Sequence, residues 1–167
     1  FNTPDLNAVK KGFENLEKHI ENIRKFNIEP VVAINAFTTD AQDEIDFVIK
    51  ACKELGVHAI LSEGWAKGGN GTQELAKAVV EVVEKQTEIF KPLYNYRMPV
   101  REKIEIIAKE IYGSEGVKYD KKAMLNLKRI ERLGFNDFAI CMAKTQKSLS
   151  DNELLLGRPK GFRINVR

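Results

Sequence analysis

PVVAINAFTTDAQDEIDFVIKACKELGVHAILS, residues 30–62, contains two apolar runs separated by an amphipathic stretch. Continuous apolar runs such as Val31–Ile34 and VHAILS are typical of parallel strands that are buried on both faces. Apolar residues recur between them at helical spacing, namely Ile45, Val48, Ile49, Cys52 and Leu55. Asp40 is a suitable N-cap for this helix and Gly56 is placed to end it. The order strand, helix, strand predicts a parallel α/β unit with a right-handed crossover.

Helices are also predicted on both sides of this segment. Thr3 and Pro4 suit a helix start, because Thr can cap a helix and Pro is tolerated at its first position. An apolar seam follows it: Leu6, Val9, Phe13, Leu16, Ile20 and Ile23. A coiled coil shares this spacing, but the pattern ends near Phe26. After the second strand, Thr72 can cap a helix whose apolar residues are Leu75, Val79, Val80, Val82 and Val83. The fold class is therefore predicted to be α/β, with helices flanking a parallel sheet.

A second, smaller α/β subdomain is predicted after an aromatic, proline-bracketed segment at residues 90–99. We expect two units, 1–91 and 92–167, with the second truncated at its C-terminus. Helices are expected from Pro99 to Gly113 and from an Asp120 cap to Gly134. Strands are expected over DFAICMA (137–143) and FRINVR (162–167), and a short helix from the capping-box spacing of Ser150 and Glu153.

Composition and charge restrict the function classes. The chain is 43% hydrophobic and 31% charged, with a net charge of +3, as in an ordinary soluble protein. Basic residues alternate with acids and form no clustered stripe, so nucleic acid is not an expected partner. No apolar stretch is long enough for a membrane span. Cys52 and Cys141 lie in apolar contexts without metal-ligand spacing, which favours buried, reduced thiols in a cytoplasmic protein. Because the chain begins at Phe1 and ends inside a predicted strand, we expect a portion of a longer polypeptide.

Two unusual loops, NAFTTD and SEGWAKGGNG, follow the predicted strands. Ligands of parallel α/β sheets bind outside the carboxyl ends of the strands. Trp65 can be a partly buried loop anchor or a flat stacking surface beside exposed glycine backbone. Together with Phe37 it can sandwich a heteroaromatic ring, while the Asn35 amide at the strand end can donate and accept hydrogen bonds. Asp40 is expected to be a helix cap rather than a ligand.

Other candidate groups are fewer. Lys144, directly after the predicted 137–143 strand, can meet an anionic ligand or belong to a solvated loop. His19 and His58 lack a catalytic partner in the sequence, and neither a Ser/His/Asp arrangement nor a metal-ligand set is evident. No residue is therefore assigned as catalytic. NAFTTD resembles the N-K-x-D base-recognition motif of GTPases only weakly, because the lysine is missing.

Several long segments resemble formate–tetrahydrofolate ligases: NTPDLNAVKKGFENLEKHIENI, PVVAINAFTTD, EGWAKGGNGTQELA, EKIEIIAKEIYG, AKTQKSLSDN and GRPKGF. They occur in order along nearly the whole chain. The resemblance implies an ATP-dependent ligase that joins formate to tetrahydrofolate through formyl phosphate, giving 10-formyltetrahydrofolate, ADP and phosphate. It also implies a P-loop-type α/β domain, Mg²⁺ with the ATP, activation by a monovalent cation, and a homotetramer.

The resemblance further implies that Phe37 and Trp65 flank the pterin ring of the folate. We hypothesise that Ser62 and Glu63 contact the edge of the pterin or the nucleotide. The chain departs from the pattern of the family in two ways. The chain lacks the G-x-x-x-x-G-K-[ST] phosphate loop, and Ala36 and Thr38 stand where a basic residue and a proline are expected. We therefore expect a part of the folate and nucleotide pocket that is inactive in isolation. A non-catalytic α/β binding or interaction domain and a GTPase-like nucleotide-binding module remain alternatives.

Overall fold

The structure is a computed structural model that describes residues 3–167. It confirms the α/β class. Contacts divide the chain into two compact units, the first ending at Phe90 and the second running from Lys91 to Arg167. Each unit contains a 2-stranded parallel sheet with helices packed against it.

The first unit follows the predicted order of helices and strands. Its elements are α1 (Leu6–Arg24), β1 (Val31–Asn35), α2 (Gln42–Glu54), β2 (His58–Ser62), α3 (Gly64–Lys67), a 3₁₀ turn (Gly68–Thr72) and α4 (Gln73–Lys85). Strands β1 and β2 pair in parallel, from Val31 opposite His58 to Asn35 opposite Ser62. The carboxyl ends of the two strands are therefore adjacent.

The core of the first unit lies where α1 and α2 cover the sheet. Ile20, Cys52 and Val57 are buried there, and partly buried apolar side chains surround them, namely Phe13, Leu16, Val32, Val48, Leu55 and Ala59. Phe13, Leu16 and Ile20 of the seam predicted for α1 thus face the core, whereas Ile23 is 40% exposed. In α4 the apolar residues Val79, Val80 and Val83 are exposed.

The helix starts in the first unit differ from the sequence expectations. Asp5, rather than Thr3, caps α1, since its carboxylate accepts hydrogen bonds from the backbone N–H groups of Asn7 and Ala8. Helix α2 begins at Gln42 without any side-chain cap. The Asp40 carboxylate accepts instead from the Phe37 N–H at 2.8 Å. The prediction that Asp40 caps α2 is therefore wrong.

The second unit is built around helices that enclose a short sheet. Its elements are α5 (Val100–Ile106), a π-helical turn (Ile107–Ile111), β3 (Val117–Tyr119), α6 (Lys121–Arg132), a 3₁₀ turn (Phe135–Asp137) and β4 (Ile164–Val166). Strands β3 and β4 are parallel, from Val117 opposite Ile164 to Tyr119 opposite Val166. Asp120 caps α6 by accepting from the Ala123 N–H, as predicted. The buried core consists of Val100, Ile104, Ile107, Ala108, Tyr112, Val117, Leu127, Leu149 and Ile164.

Residues 137–143 do not form the predicted strand. Two tyrosine hydroxyls satisfy part of this backbone: Tyr94 accepts from the Ile140 N–H, and Tyr112 donates to the Met142 carbonyl. Strand β3, which the sequence analysis missed, takes the place beside β4. Cys141 is exposed, so its expected burial is wrong, whereas Cys52 is buried.

The loop that follows also lacks its predicted short helix. The Ser150 hydroxyl donates to the Asn152 carbonyl and accepts from the Asn152 N–H, which closes a tight turn in place of a helix start. Ser150 and Ser148 are both buried, with their hydroxyls 2.9 Å apart.

Candidate functional site

The candidate site begins where β1 and β2 end. Asn35 and Ser62 are the last residues of the two strands and lie in register. One residue further on, the Ala36 N–H donates to the Ser62 carbonyl at 3.3 Å. The loops after the two strands therefore start side by side, with the exposed Asn35 amide and the half-buried Ser62 hydroxyl at this edge of the sheet.

These loops bring Phe37 and Trp65 together. Their ring centroids are 5.9 Å apart and their planes differ by 24°, an offset-stacked arrangement. The indole Nε1–H of Trp65 donates to the Ala36 carbonyl at 2.6 Å, so the ring is fixed to the neighbouring loop. Phe37 and Trp65 are nevertheless 52% and 54% exposed. Trp65 is therefore a surface residue with a fixed orientation rather than a core residue.

The slot between the two rings is closed in this structure. A flat ligand between two aromatic faces needs van der Waals contact on both sides, which requires the faces to stand at least about 7 Å apart. The 5.9 Å between the centroids is smaller than this separation. A ligand sandwiched by these rings must therefore separate them, whereas a ligand on their outer faces need not.

Close backbone packing shapes the turn that presents Trp65. The Glu63 N–H donates to the Gly71 carbonyl at 3.1 Å. A Cβ added at Gly71 would lie 2.5 Å from the Glu63 carbonyl oxygen and 2.6 Å from its carbon. Glycine is needed at this position because the backbone passes so close.

The Glu63 carboxylate already has a partner within the turn. Lys67 Nζ lies 2.6 Å from its Oε2, and both side chains are substantially exposed. The Glu63 carbonyl also accepts from the N–H groups of Ala66 and Lys67. The carboxylate thus points to solvent beside Trp65 and is held by a surface ion pair of the kind that contributes about 1 kcal/mol or less.

Lys144 belongs to the second unit, where it closes its own loop. Its Nζ donates to the carbonyls of Thr145 and Ser148, at 2.9 and 2.8 Å. An anion at Lys144 would compete with these bonds. The structure therefore groups Asn35, Phe37, Ser62, Glu63 and Trp65 in the first unit, and it gives Lys144 a local structural partner.

Sequence reasoning missed the site's supporting residues. Asp40 was expected to cap a helix, yet it binds the Phe37 backbone. Gly71 was one of several loop glycines, and only the close approach to Glu63 distinguishes it. The signal for Asp40 was present in the sequence, since Asp often bonds backbone groups within three residues of itself.

Basic side chains cluster on one face of α6, although basic and acidic residues alternate along the sequence. One outer face of α6 carries Lys121, Lys122, Lys128, Arg129 and Arg132 around Leu125, which is 69% exposed. Within residues 3–167 none of these cations has an ion-pair or hydrogen-bond partner. The expectation of no clustered basic stripe is therefore wrong for α6.

Two other classes of site, metal centres and membrane spans, are absent from residues 3–167. That part of the chain contains no group of three or more His, Cys, Asp or Glu side chains arranged to hold a metal ion. It also contains no helix with the length and apolar character needed to cross a bilayer.

A match to a known protein family covers all the segments in which the resemblance was noted. The family described as formate–tetrahydrofolate ligase matches residues 1–167, which is the whole chain. Members of this family are ligases of one-carbon metabolism that use ATP and tetrahydrofolate as substrates. The chain therefore belongs to the formate–tetrahydrofolate ligase family.

Proposed function

We propose that this chain supplies the folate-binding part of an ATP-dependent ligase that joins formate to tetrahydrofolate, giving 10-formyltetrahydrofolate, ADP and phosphate. The observation that carries the proposal is the exposed Phe37–Trp65 pair at the carboxyl ends of two parallel strands. Ligands of parallel α/β sheets bind outside the carboxyl ends of the strands, and exposed aromatic rings there offer a flat surface for stacking.

The pterin ring of the folate is the proposed partner of these rings. A planar heterocycle stacked on an aromatic side chain gains roughly 1 kcal/mol per contact beyond the area that is buried. Entry between the rings requires them to move about 1 Å further apart than the observed 5.9 Å. Phe37 lies in a loop and Trp65 in the short helix α3, so neither ring is carried by a strand. This movement therefore leaves the β1–β2 pairing intact.

Polar groups beside the rings are proposed to bind the edge of the ligand. The Asn35 amide can donate and accept, and the Ser62 hydroxyl can do the same. Glu63 can accept a hydrogen bond from an N–H of the pterin or of the nucleotide, in competition with its ion pair to Lys67. Lys144 is proposed to contact an anionic group of a substrate, which would replace its bonds to loop carbonyls.

The contribution of this chain to catalysis is proposed to be orientation. Bringing the acceptor amine of tetrahydrofolate to formyl phosphate converts a bimolecular step into a local one. Phosphoryl transfer from ATP to formate instead needs cationic groups and Mg²⁺ around the phosphates. Residues 1–167 lack the G-x-x-x-x-G-K-[ST] pattern, so we propose that other segments of a longer polypeptide supply these groups.

Tetrahydrofolate titration of the complete ligase tests the stacking role. Trp65→Ala should weaken binding roughly tenfold, whereas Trp65→Phe, which keeps an aromatic face, should weaken it less. Phe138→Ala is a matched control, because Phe138 is an exposed aromatic residue of the second unit. Unchanged affinity in Trp65→Ala would exclude the proposed site.

Turnover measurements test the division of labour. The chain of residues 1–167 alone should form no 10-formyltetrahydrofolate from formate, ATP and tetrahydrofolate, while the complete ligase does. Product formation by the isolated chain at a comparable rate would show that the phosphoryl-transfer groups are present within it.

A further inference from the structure

Asp40 makes two hydrogen bonds to the backbone of Phe37, and together they close the turn from Phe37 to Asp40. Its backbone N–H donates to the Phe37 carbonyl at 3.1 Å, which forms a four-residue turn. Its carboxylate accepts from the Phe37 N–H at 2.8 Å. Phe37 therefore makes reciprocal backbone contacts with one acidic residue, and these fix where its ring leaves the loop.

The same peptide unit also holds Trp65. The Phe37 N–H and the Ala36 carbonyl belong to one planar peptide group. Its N–H end binds the Asp40 carboxylate, and its carbonyl end accepts the indole Nε1–H of Trp65 at 2.6 Å. A rotation of this peptide would move both aromatic rings at once.

The carboxylate also strengthens the bond at the far end of the peptide. A hydrogen bond from an N–H to an anion polarises the amide and makes its carbonyl oxygen a better acceptor. Asp40 thus acts on Trp65 through the Ala36–Phe37 peptide without touching the indole.

A purely structural role explains these contacts less well. Helix α2 begins at Gln42 and has no side-chain cap, so loss of the Asp40 carboxylate does not uncap it. The bond from Phe37 to Asp40 is exposed to solvent. Removing an exposed hydrogen bond has little effect on global stability, so its loss should be felt locally, at the rings.

We propose that Asp40 is a positioning residue of the ligand site, which sets the orientation of Phe37 and Trp65 through the peptide between Ala36 and Phe37. Its effect on folate binding rests on the function proposed above, whereas its effect on the rings does not.

Trp65 fluorescence provides a test that is independent of folate. Trp65 is the single tryptophan of the chain, so its emission reports this site alone. In ligand-free protein, Asp40→Ala should shift the emission and raise the rate of acrylamide quenching about twofold. Asp40→Asn keeps an acceptor oxygen and should retain most of the original signal. Asp46→Ala is the matched control, because Asp46 is an exposed carboxylate on α2 whose one partner among residues 3–167 is Gln42.

Kinetics of the complete ligase provide the second test. Asp40→Ala should raise the KM for tetrahydrofolate about fivefold to tenfold, as expected for loss of a charge-assisted hydrogen bond at a solvent-exposed site. The kcat should stay within about twofold, because Asp40 does not touch the reacting atoms. Asp40→Asn keeps an acceptor oxygen but loses the charge, so it should recover only part of the KM, and Asp46→Ala should leave the KM unchanged.

The outcomes separate the two proposals. Unaltered fluorescence in Asp40→Ala overturns the positioning role. An unchanged KM in Asp40→Ala, together with weakened binding in Trp65→Ala, also overturns it and leaves the folate site standing. Altered fluorescence in Asp40→Ala with normal affinity in Trp65→Ala supports the positioning of the rings and refutes the folate site. Equal defects in Asp40→Ala and Asp40→Asn contradict a role through hydrogen-bond acceptance.

Discussion

Gly71→Ala is the most direct perturbation of the turn that carries Trp65. The added Cβ would lie 2.5 Å from the Glu63 carbonyl oxygen, 2.6 Å from the Glu63 carbonyl carbon and 3.1 Å from the Gly64 nitrogen. All three are backbone atoms, so no side chain can rotate away. Relief of the contact requires the chain at Glu63 or at Gly71 to move by roughly 0.5–1 Å. That movement would weaken the bond from the Glu63 N–H to the Gly71 carbonyl.

The expected cost follows from two opposing effects. Overpacking a close contact destabilises a protein by about 1–3 kcal/mol. Replacing Gly with Ala also restricts the unfolded chain, which stabilises the folded state by about 0.4–1 kcal/mol where the backbone tolerates a side chain. The contact term is the larger one at Gly71. We expect a net loss of about 1–2 kcal/mol, or roughly 2–8 °C in Tm at about 2–4 °C for each kcal/mol.

Gly69→Ala is the matched control. It lies in the same 3₁₀ turn, and a Cβ there would meet no atom within 4 Å. Its stability should be unchanged or slightly higher. Thermal unfolding by circular dichroism measures both variants, and Trp65 emission shows whether the loop has moved. Equal Tm values for the two variants, or a higher value for Gly71→Ala, would refute the close-contact argument.

Further predictions concern the second unit. Lys103 is fully buried, and its Nζ donates to the carbonyls of Asn136 and Phe138. Lys103→Met fills the same space but leaves both acceptors unpaired, so chemical denaturation should show a loss of about 1–3 kcal/mol in the free energy of unfolding. A variant as stable as the original would contradict this. Burial raises the pKa values of Tyr112 and Tyr119 above the ordinary value for tyrosine. The nearby Cys141 adds to the effect at Tyr112, and Glu105 adds to it at Tyr119. Because the folded state then holds these protons more tightly, the stabilisation is complete below about pH 10 and is lost as the pH rises through the folded-state pKa values. Above pH 10, the free energy of unfolding should fall less steeply with pH in Tyr112→Phe than in the original protein. Identical pH profiles would refute the raised pKa of Tyr112 as a source of this stability.

The fold of the first unit could be predicted because its signals are local and repeated. The apolar runs of β1 and β2 and the seam of α1 each span several residues with a definite period. The order of the elements then placed Phe37 and Trp65 at adjacent strand ends. The contact between their rings agrees with that inference. The short distance between the two rings could not be predicted, because it depends on side-chain packing rather than on a periodic sequence pattern.

The second unit was harder because its strands are short and depend on tertiary partners. Residues 137–143 have a strand-like composition, but the hydroxyls of Tyr94 and Tyr112, distant in sequence, bind this backbone. Strand β3 contains Lys118 and is only Val117–Tyr119, too short for an alternating pattern to be recognised. Asp40 failed as a predicted cap for a related reason, since a carboxylate near a helix start can bind either the first turn or the preceding loop.

The basic face of α6 has a consequence for how the protein responds to ionic strength. Lys128 and Arg129 each lie about one helical turn before Arg132, and like charges at that spacing cost an isolated helix about 0.2–0.5 kcal/mol per pair. Dissolved ions shorten the reach of this repulsion from about 10 Å at 0.1 M to about 3 Å at 1 M. Moderate concentrations of sodium chloride should therefore stabilise α6, and dilute buffers should weaken it.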